Sequence, residues 1–363
     1  MDKKLNGLSR EFIIHPGETL KEILEDREMT QRELAIRTDV TEAHVSKIVN
    51  GQKSISVGYA KKLEYALNIE SSFWINLQAN YDRELADFEE VNNISSEELT
   101  ILKSLGDITD YLKEMDFLET DAHGPILVIH LRRLLNISCL QRIPEISQAG
   151  AYRLATAANI DPYVLFTWLR MCDLINAKQK VSKALGLKEL KNKIPDIKKL
   201  MFKDAVGIED TLKDYLGECG IKFSIVKHFK GAPIQGVIKR NTDNTLSLIM
   251  TNRRKFADIF WFTLFHEIAH IVNGDYNKKL TNEQYLIAEQ NANIFARNTL
   301  IDEKQYGTFK LSGDFSKNAI IEFSKVNNVL PEIVVGRLMN DKLLSWQKNT
   351  LRKQYEWATN NED

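Results

Sequence analysis

The chain is poor in cysteine. Cys139, Cys172 and Cys219 are the three among 363 residues, an odd number set far apart. That excludes a disulfide framework and a thiolate metal centre, and it fits a reducing compartment. Each is read as a small buried apolar side chain. Proline is scarce at 7 and glycine stands at 17, so few breakers interrupt the chain and a largely helical protein is expected. The formal net charge of −1 points to no class of partner. The longest apolar run, residues 256–265, is too short to span a bilayer and is broken by Asp258. Residues 1–7 hold no apolar stretch that could act as a signal peptide. The expectation is a cytoplasmic protein of two or three domains, neither exported nor embedded in a membrane.

What is present is one dense stretch. Residues 258–274 read Asp-Ile-Phe-Trp-Phe-Thr-Leu-Phe-His-Glu-Ile-Ala-His-Ile-Val-Asn-Gly. Apolar residues fall on nearly every side of a helical wheel, as in a helix buried through a core. Asn273-Gly274 offers a stop. Packing gives no reason for His266, Glu267 and His270 in such a helix, because buried polar groups are costly unless paired. At i and i+4, His266 and His270 point the same way and can share one ion. Glu267 lies beside that face, within reach of a water on the ion. This is the H-E-x-x-H spacing of zinc hydrolases.

A catalytic zinc takes three protein ligands. The next helical stretch, residues 283–300, sets Glu289, Ala292 and Ala296 on one face. A carboxylate among alanines can approach a neighbouring helix closely and would be unpaired there without a cation, so Glu289 is the expected third ligand. Asn293, at i+4 from Glu289, is the candidate partner behind a ligand. Tyr276, Tyr285 and Arg297 are candidates for stabilising a transition state, and the sequence does not rank them.

Residues 12–90 carry five helical patterns. Pro16-Gly17 precedes the first. Thr30-Gln31-Arg32-Glu33 is a capping box for the second, Thr41 caps the third, Ser56 the fourth, and Ser71-Ser72 opens the fifth. Two short helices joined by a tight turn describe a helix-turn-helix. The third helix packs through Ala43, Val45 and Ile48 and leaves Thr41, Glu42, His44, Ser46 and Lys47 free to read base edges. Gln31 is expected at a phosphate or base edge, and Lys53 at a phosphate. Against this stand 12 basic and 17 acidic residues in positions 1–90, no basic footprint for a DNA binder. A helical bundle for protein contact is the alternative at this point.

Residues 83–125 are acidic and helical, read as a solvated connector or a dimer-forming pair. Residues 152–171 loosely echo the first helix-turn-helix. The lysine-rich run 178–203 fits an amphipathic surface helix. Residues 221–226, 234–238 and 245–250 alternate as strands do, with a hairpin turn at Asn241-Thr242-Asp243-Asn244, and a small antiparallel sheet is expected. Residues 346–357 are expected to form a docking helix, followed by an acidic tail.

Two resemblances add to this reading. His15-Pro16-Gly17-Glu18, Thr30-Gln31, Leu34-Ala35, Val40, Ser46-Lys47-Ile48-Val49-Asn50-Gly51 and Phe73-Trp74-Ile75-Asn76-Leu77-Gln78-Ala79-Asn80-Tyr81-Asp82 resemble antitoxins of HigA type, within the wider Xre/Cro repressor family. The likeness covers about the first 85 residues and implies a dimeric, operator-binding domain. Asp39 departs from the glycine usual in that turn, a place where aspartate tolerates a left-handed backbone. Gly220-Ile221, Gly236-Val237, Asn252-Arg253, residues 262–270 and residues 289–296 are similar to the ImmA/IrrE metallopeptidases, which cleave repressor proteins. That likeness, over roughly residues 200–305, implies zinc on His266, His270 and Glu289 with Glu267 as the catalytic glutamate. It departs at Ile301-Asp302, where the family has Met-Pro.

The expected fold is mostly α, α+β overall. A five-helix DNA-binding domain is expected over 1–90 and a helical connector or dimerisation region over 91–203. A zincin-like zinc metallopeptidase domain is expected over 204–363, with its core at 217–305. Three functions are compatible with it. The first is an operator-binding regulator that cleaves a repressor or antitoxin. The second is a HigA-like antitoxin and autorepressor, paired with a toxin, whose metal domain senses or binds without cutting. The third is a general cytosolic peptidase whose N-terminal bundle recruits substrates. An intact Glu267 favours the first over the second.

Overall fold

Pro16 fixes the backbone at the first helical position, and the His15 imidazole accepts a hydrogen bond from the Gly17 amide at 2.9 Å, which starts α1 (Pro16–Asp26). In this computed structural model residues 10–149, 160–203, 205–251, 253–278, 280–345 and 351–355 are described. They form two compact units, Met1–Gln141 and Arg142–Asp363.

In the first unit, Thr30 caps α2 (Gln31–Thr38), Thr41 caps α3 (Glu42–Val49) and Ser56 caps α4 (Val57–Leu67), each by accepting an N–H of its helix's first turn. Asp39 adopts the left-handed conformation (φ 50°, ψ 55°) that ends α2 and turns the chain toward α3. The core is Leu20, Leu34, Val45, Ile48, Leu63, Leu67 and Trp74, all fully buried. Each such aliphatic side chain contributes about 1.5–3 kcal/mol. Gly17 is required there, since a Cβ would collide with the Ile48 carbonyl oxygen. Ala43, expected in this core, is exposed; Val45, Ile48 and Val49 carry the packing of α3. The fifth helix, α5 (Ser71–Asn92), runs on past the expected connector start.

The acidic segment that follows is folded. Ser95 caps α6 (Ser96–Ser104), followed by α7 (Gly106–Glu114) and α8 (Gly124–Leu135). Glu98, 2% exposed, receives Arg132 at 3.1 and 2.5 Å and the Leu140 amide at 2.9 Å. The expectation of a solvated connector therefore fails at this residue, because its partner lies 34 positions away and acidic composition alone does not reveal it. Residues 91–203 are distributed across the two units, with α6 to α8 in the first.

The second unit begins with α9 (Ile143–Ala149), α10 (Pro162–Ala177), α11 (Leu187–Lys199) and α12 (Ile208–Gly217). In the lysine-rich run, α11 is amphipathic as expected and buries Leu190 and Ile197. Of the echo expected over 152–171, residues 152–159 lie outside the described residues and the remainder leads into and forms the first part of α10. Three strands follow, β1 (Ile221–Val226), β2 (Gly236–Arg240) and β3 (Leu246–Thr251), in the order β1-β3-β2. The hairpin pairs β2 and β3 antiparallel, but β1 runs parallel to β3, from Ile221 beside Leu246 to Val226 beside Thr251. The sheet is mixed, which corrects the antiparallel expectation. Alternation of side chains is the same in both pairings, and only the crossover of residues 227–235 decides between them.

Against this sheet lie α13 (Ala257–Val272) and α14 (Asn282–Leu300), then α15 (Glu303–Ser312), α16 (Lys317–Val326) and α17 (Pro331–Asn340). Residues 351–355 are not helical, contrary to expectation, though they do dock. Arg352 grips Asp258 through two bonds of 3.0 and 2.9 Å, and the Trp261 indole donates to the Tyr355 hydroxyl at 2.9 Å. Among the described residues no helix is long and apolar enough to cross a membrane.

Candidate metal centre

Trp261, Leu264, Phe265 and Ile268 bury one side of α13 completely. The opposite stripe carries His266 and His270 and meets α14 at a seam of buried alanines, Ala288, Ala292 and Ala296. Small side chains let the helices approach, and the approach delivers Glu289. Its Oε2 stands 3.3 Å from His266 Nε2, and its Oε1 stands 3.3 Å from His270 Nε2. The two Nε2 atoms are 3.1 Å apart, and ligand atoms from all three residues fall within 4.8 Å of one another.

The rear nitrogens are also held. His270 Nδ1 is 3.1 Å from Asp275 Oδ2, and His266 Nδ1 is 3.1 Å from Asn293 Oδ1. A carboxylate only accepts, so Nδ1 of His270 donates to Asp275 and its Nε2 faces inward with a lone pair when the ring is neutral. With the Asn293 oxygen toward it, His266 is arranged in the same way. Two inward lone pairs and a carboxylate converge on one small volume, which demands a proton or a cation. Two imidazole nitrogens and one carboxylate oxygen, backed by outer hydrogen bonds, suit a divalent metal ion.

Burial disfavours charge on His270, yet Glu289, Glu267 and Asp275 together raise its pKa. Burial likewise works against charge on Glu289, but the two imidazoles hold its carboxyl far below the ordinary range. Burial pushes the Glu267 carboxyl upward, against the pull of the same imidazoles. A carboxyl raised toward neutrality is suited to taking and returning a proton.

Two residues escaped the sequence reading. Asp275 anchors His270 because Gly274, at φ 70°, folds the chain back immediately after α13. The Asn273-Gly274 stop was visible, but not what it delivers. Gly236 was noted only within a resemblance. A Cβ there would stand 2.6 Å from Glu267 Cγ and Oε1, so the first residue of β2 lays bare backbone on that carboxylate. Tyr285 sits half-buried one turn before Glu289, and Tyr276 packs on the core of the second unit. Arg297 lies two turns beyond Glu289 on α14 and lines a separate cavity.

Comparison with known proteins bears on both units. Residues 20–74 match the family model described as helix-turn-helix. Residues 227–338, which hold all of this centre, match the model of the IrrE N-terminal-like domain, a peptidase family. The chain joins an Xre-like helix-turn-helix domain to an IrrE-like peptidase domain. Virulence-associated protein A' of Dichelobacter nodosus is 42% identical over 69 residues, 19% of this chain; the chain spans 60% of that relative's length. An antidote protein of a plasmid maintenance system from Nostoc punctiforme is 32% identical, over 23% of this chain and 97% of that one, with a TM-score of 0.21. A HigA-family addiction module antidote protein from Coxiella burnetii is 25% identical, over 30% and 97%, with a TM-score of 0.19.

In the helix-turn-helix domain, Thr41, Glu42, Lys47 and Lys53 are exposed, while Gln31, His44 and Ser46 are half-buried. Gln31 opens α2 and the other helix residues belong to α3 or its cap. Thr41 accepts the His44 amide at 3.2 Å, and Ser46 accepts from the Asn50 side chain at 3.2 Å. Lys53 Nζ stands 3.2 Å from His44 Nδ1. Burial first, then Lys53 and Lys62, lower the His44 pKa, which leaves its ring able to accept. In the IrrE-like domain, Asp302 at the departure from the family pattern caps α15 by accepting the Gln305 amide.

Proposed function

We propose that the protein is a cytoplasmic, operator-binding regulator whose second unit is a zinc-dependent endopeptidase acting on a repressor or antitoxin. The observation that carries this reading is the convergence of His266, His270 and Glu289 within 4.8 Å, with Glu267 alongside. Zinc held there by His266, His270 and Glu289 would supply Lewis acidity. Glu267 would take a proton from the attacking water and return it to the leaving amine. Asp275 and Asn293 keep both imidazoles facing inward, and Gly236 lets the edge strand β2 pack directly on Glu267. Tyr285, one turn from Glu289, and Tyr276 are the candidates for steadying the negative oxygen that develops.

On the DNA side, the reading assigns α3 to the major groove of a duplex operator, with Thr41, Glu42, His44 and Ser46 at base edges. Lys47 joins them at base edges, Gln31 meets a phosphate or base edge, Lys53 serves a phosphate, and two copies bind as a dimer. Glu267→Gln is expected to retain zinc and operator binding while cleavage falls by roughly 10²–10⁴-fold, the scale of general-base catalysis. Comparing protein fragments in cells carrying wild type and the variant tests this. Undiminished fragments in the variant would refute the role of Glu267, and a wild type that binds DNA but cuts nothing would favour the antitoxin-autorepressor reading.

A further inference from the structure

The groove between α13 and α14 does not end at the histidines. The pairs His270 with Glu289 and His266 with Asn293 show that the two helices run in opposite directions. Continuing the same way, Phe262 and Arg297 both line a cavity of about 220 Å³. Phe262 lies one turn before His266, with ring centroids 6.2 Å apart. At 1.5 Å rise per residue the step along the helix is roughly 6 Å. An extended peptide advances about 3.3–3.6 Å per residue, so the cavity falls one or two substrate residues from the centre. Gln235, which precedes the Gly236 that touches Glu267, also lines it. β2 is the edge strand of the sheet, so a chain lying alongside it near Glu267 reaches this cavity directly.

Its floor is apolar, with Phe262, Leu300 and Ile333, and its charged groups are unbalanced. Asp258 is its one carboxylate, and Arg352 already neutralises it through two hydrogen bonds. Arg337 donates to the Ile301 carbonyl at 3.0 Å, pairs with Glu303 and lies over the Tyr306 ring. Its side chain is only 8% exposed, yet its Nε has no hydrogen-bond partner. Arg254 and Arg297 have no ion pair or side-chain hydrogen bond among the described residues. A half-buried guanidinium over an apolar floor, with a second guanidinium at the rim and an orphaned donor below, is complementary to a carboxylate on a short aliphatic stem.

We propose that this cavity receives an acidic side chain, glutamate ahead of aspartate, from a polypeptide lying in the groove, one or two residues from the bond that is cut. The proposal rests on the peptidase reading for its consequence but not for its binding chemistry, so two measurements separate them. In the first, the metal-free full chain labelled with ¹⁵N at arginine Nε is titrated with N-acetylglutamate α-amide and with N-acetylglutamine amide. The arginine signals of the cavity should move with the acid, about tenfold more tightly than with the amide, the scale of one charge-assisted hydrogen bond. Arg297→Gln should remove that difference, and Arg297→Lys should keep part of it. Equal responses, or none, would overturn the proposal.

In the second, zinc-loaded protein digests a proteome-derived peptide library and the new termini are sequenced. Acidic residues should be enriched within two positions on one side of the cut, and Arg297→Glu should exchange that preference for lysine and arginine. Cleavage by wild type without acidic enrichment would overturn the proposal and leave the peptidase reading intact. A wild type that cuts nothing, yet binds the acid in the first experiment, would refute the peptidase reading while the acidic-side-chain site stands.

Discussion

The helices α3 and α13 both set polar residues at helical spacing into an apolar pattern, but they use them in opposite directions. On α3 the polar side chains bond within their own helix or to Lys53, and the surface beyond them is open. On α13 each histidine is held from behind by a residue of another element, His266 by Asn293 of α14 and His270 by Asp275 of the turn after α13, and both face Glu289 of α14. A reading surface thus needs one well-capped helix, whereas a metal centre needs several elements to agree to within an ångström.

That contrast can be broken first at the centre. Asp275→Asn replaces an obligate acceptor with an amide that can also present a donor to His270. Zinc affinity should drop about 10–100-fold, the usual effect of losing such an outer partner. Titration against a competing chelator measures this, and operator binding should be untouched. Unchanged zinc affinity would mean that Asp275 does not orient the ring. The reverse test is Gly17→Ala, which drives a methyl group into the Ile48 carbonyl at the C-terminal end of α3. Overpacking of this kind costs about 1–3 kcal/mol. The melting temperature of the first unit should fall, with zinc binding unchanged. If both properties fell together, the two units would not be independent.

The smallest effect concerns acid. The Ser71 hydroxyl, then the Ser71 amide, then Lys61 hold the Glu64 carboxyl down to about 2, from an ordinary value of 4.5. A carboxyl depressed in the folded state contributes stability above its unfolded pKa and loses it as pH falls through its folded value. The contribution should therefore be complete above about pH 4.5 and vanish toward pH 2. In acid titrations followed by circular dichroism, Glu64→Gln should remove that part of the slope in the first unit. An unchanged slope would show that the bond to Ser71 does not persist in solution.

Local rules were legible wherever the cause was local. Thr30, Thr41 and Ser56 announced their helices because a cap involves residues two or three apart. The spacing of His266 and His270, and the alanine stripe beside Glu289, were readable for the same reason. What escaped depended on distant partners. Glu98 looked like one more solvated acid until Arg132, 34 residues on, met it. β1 looked ready for an antiparallel neighbour until the crossover brought it beside β3 in parallel.

By itself the sequence determined where the capped helices start and which three side chains could share an ion, because those follow from periodicity and short-range hydrogen bonding. Only the tertiary structure decided that Glu289 arrives between the two imidazoles, that Asp275 folds back behind one of them, and that Gly236 lays its backbone on Glu267. Such meetings depend on how helices and strands pack, and packing is set by the fit of many side chains at once rather than by any one spacing along the chain.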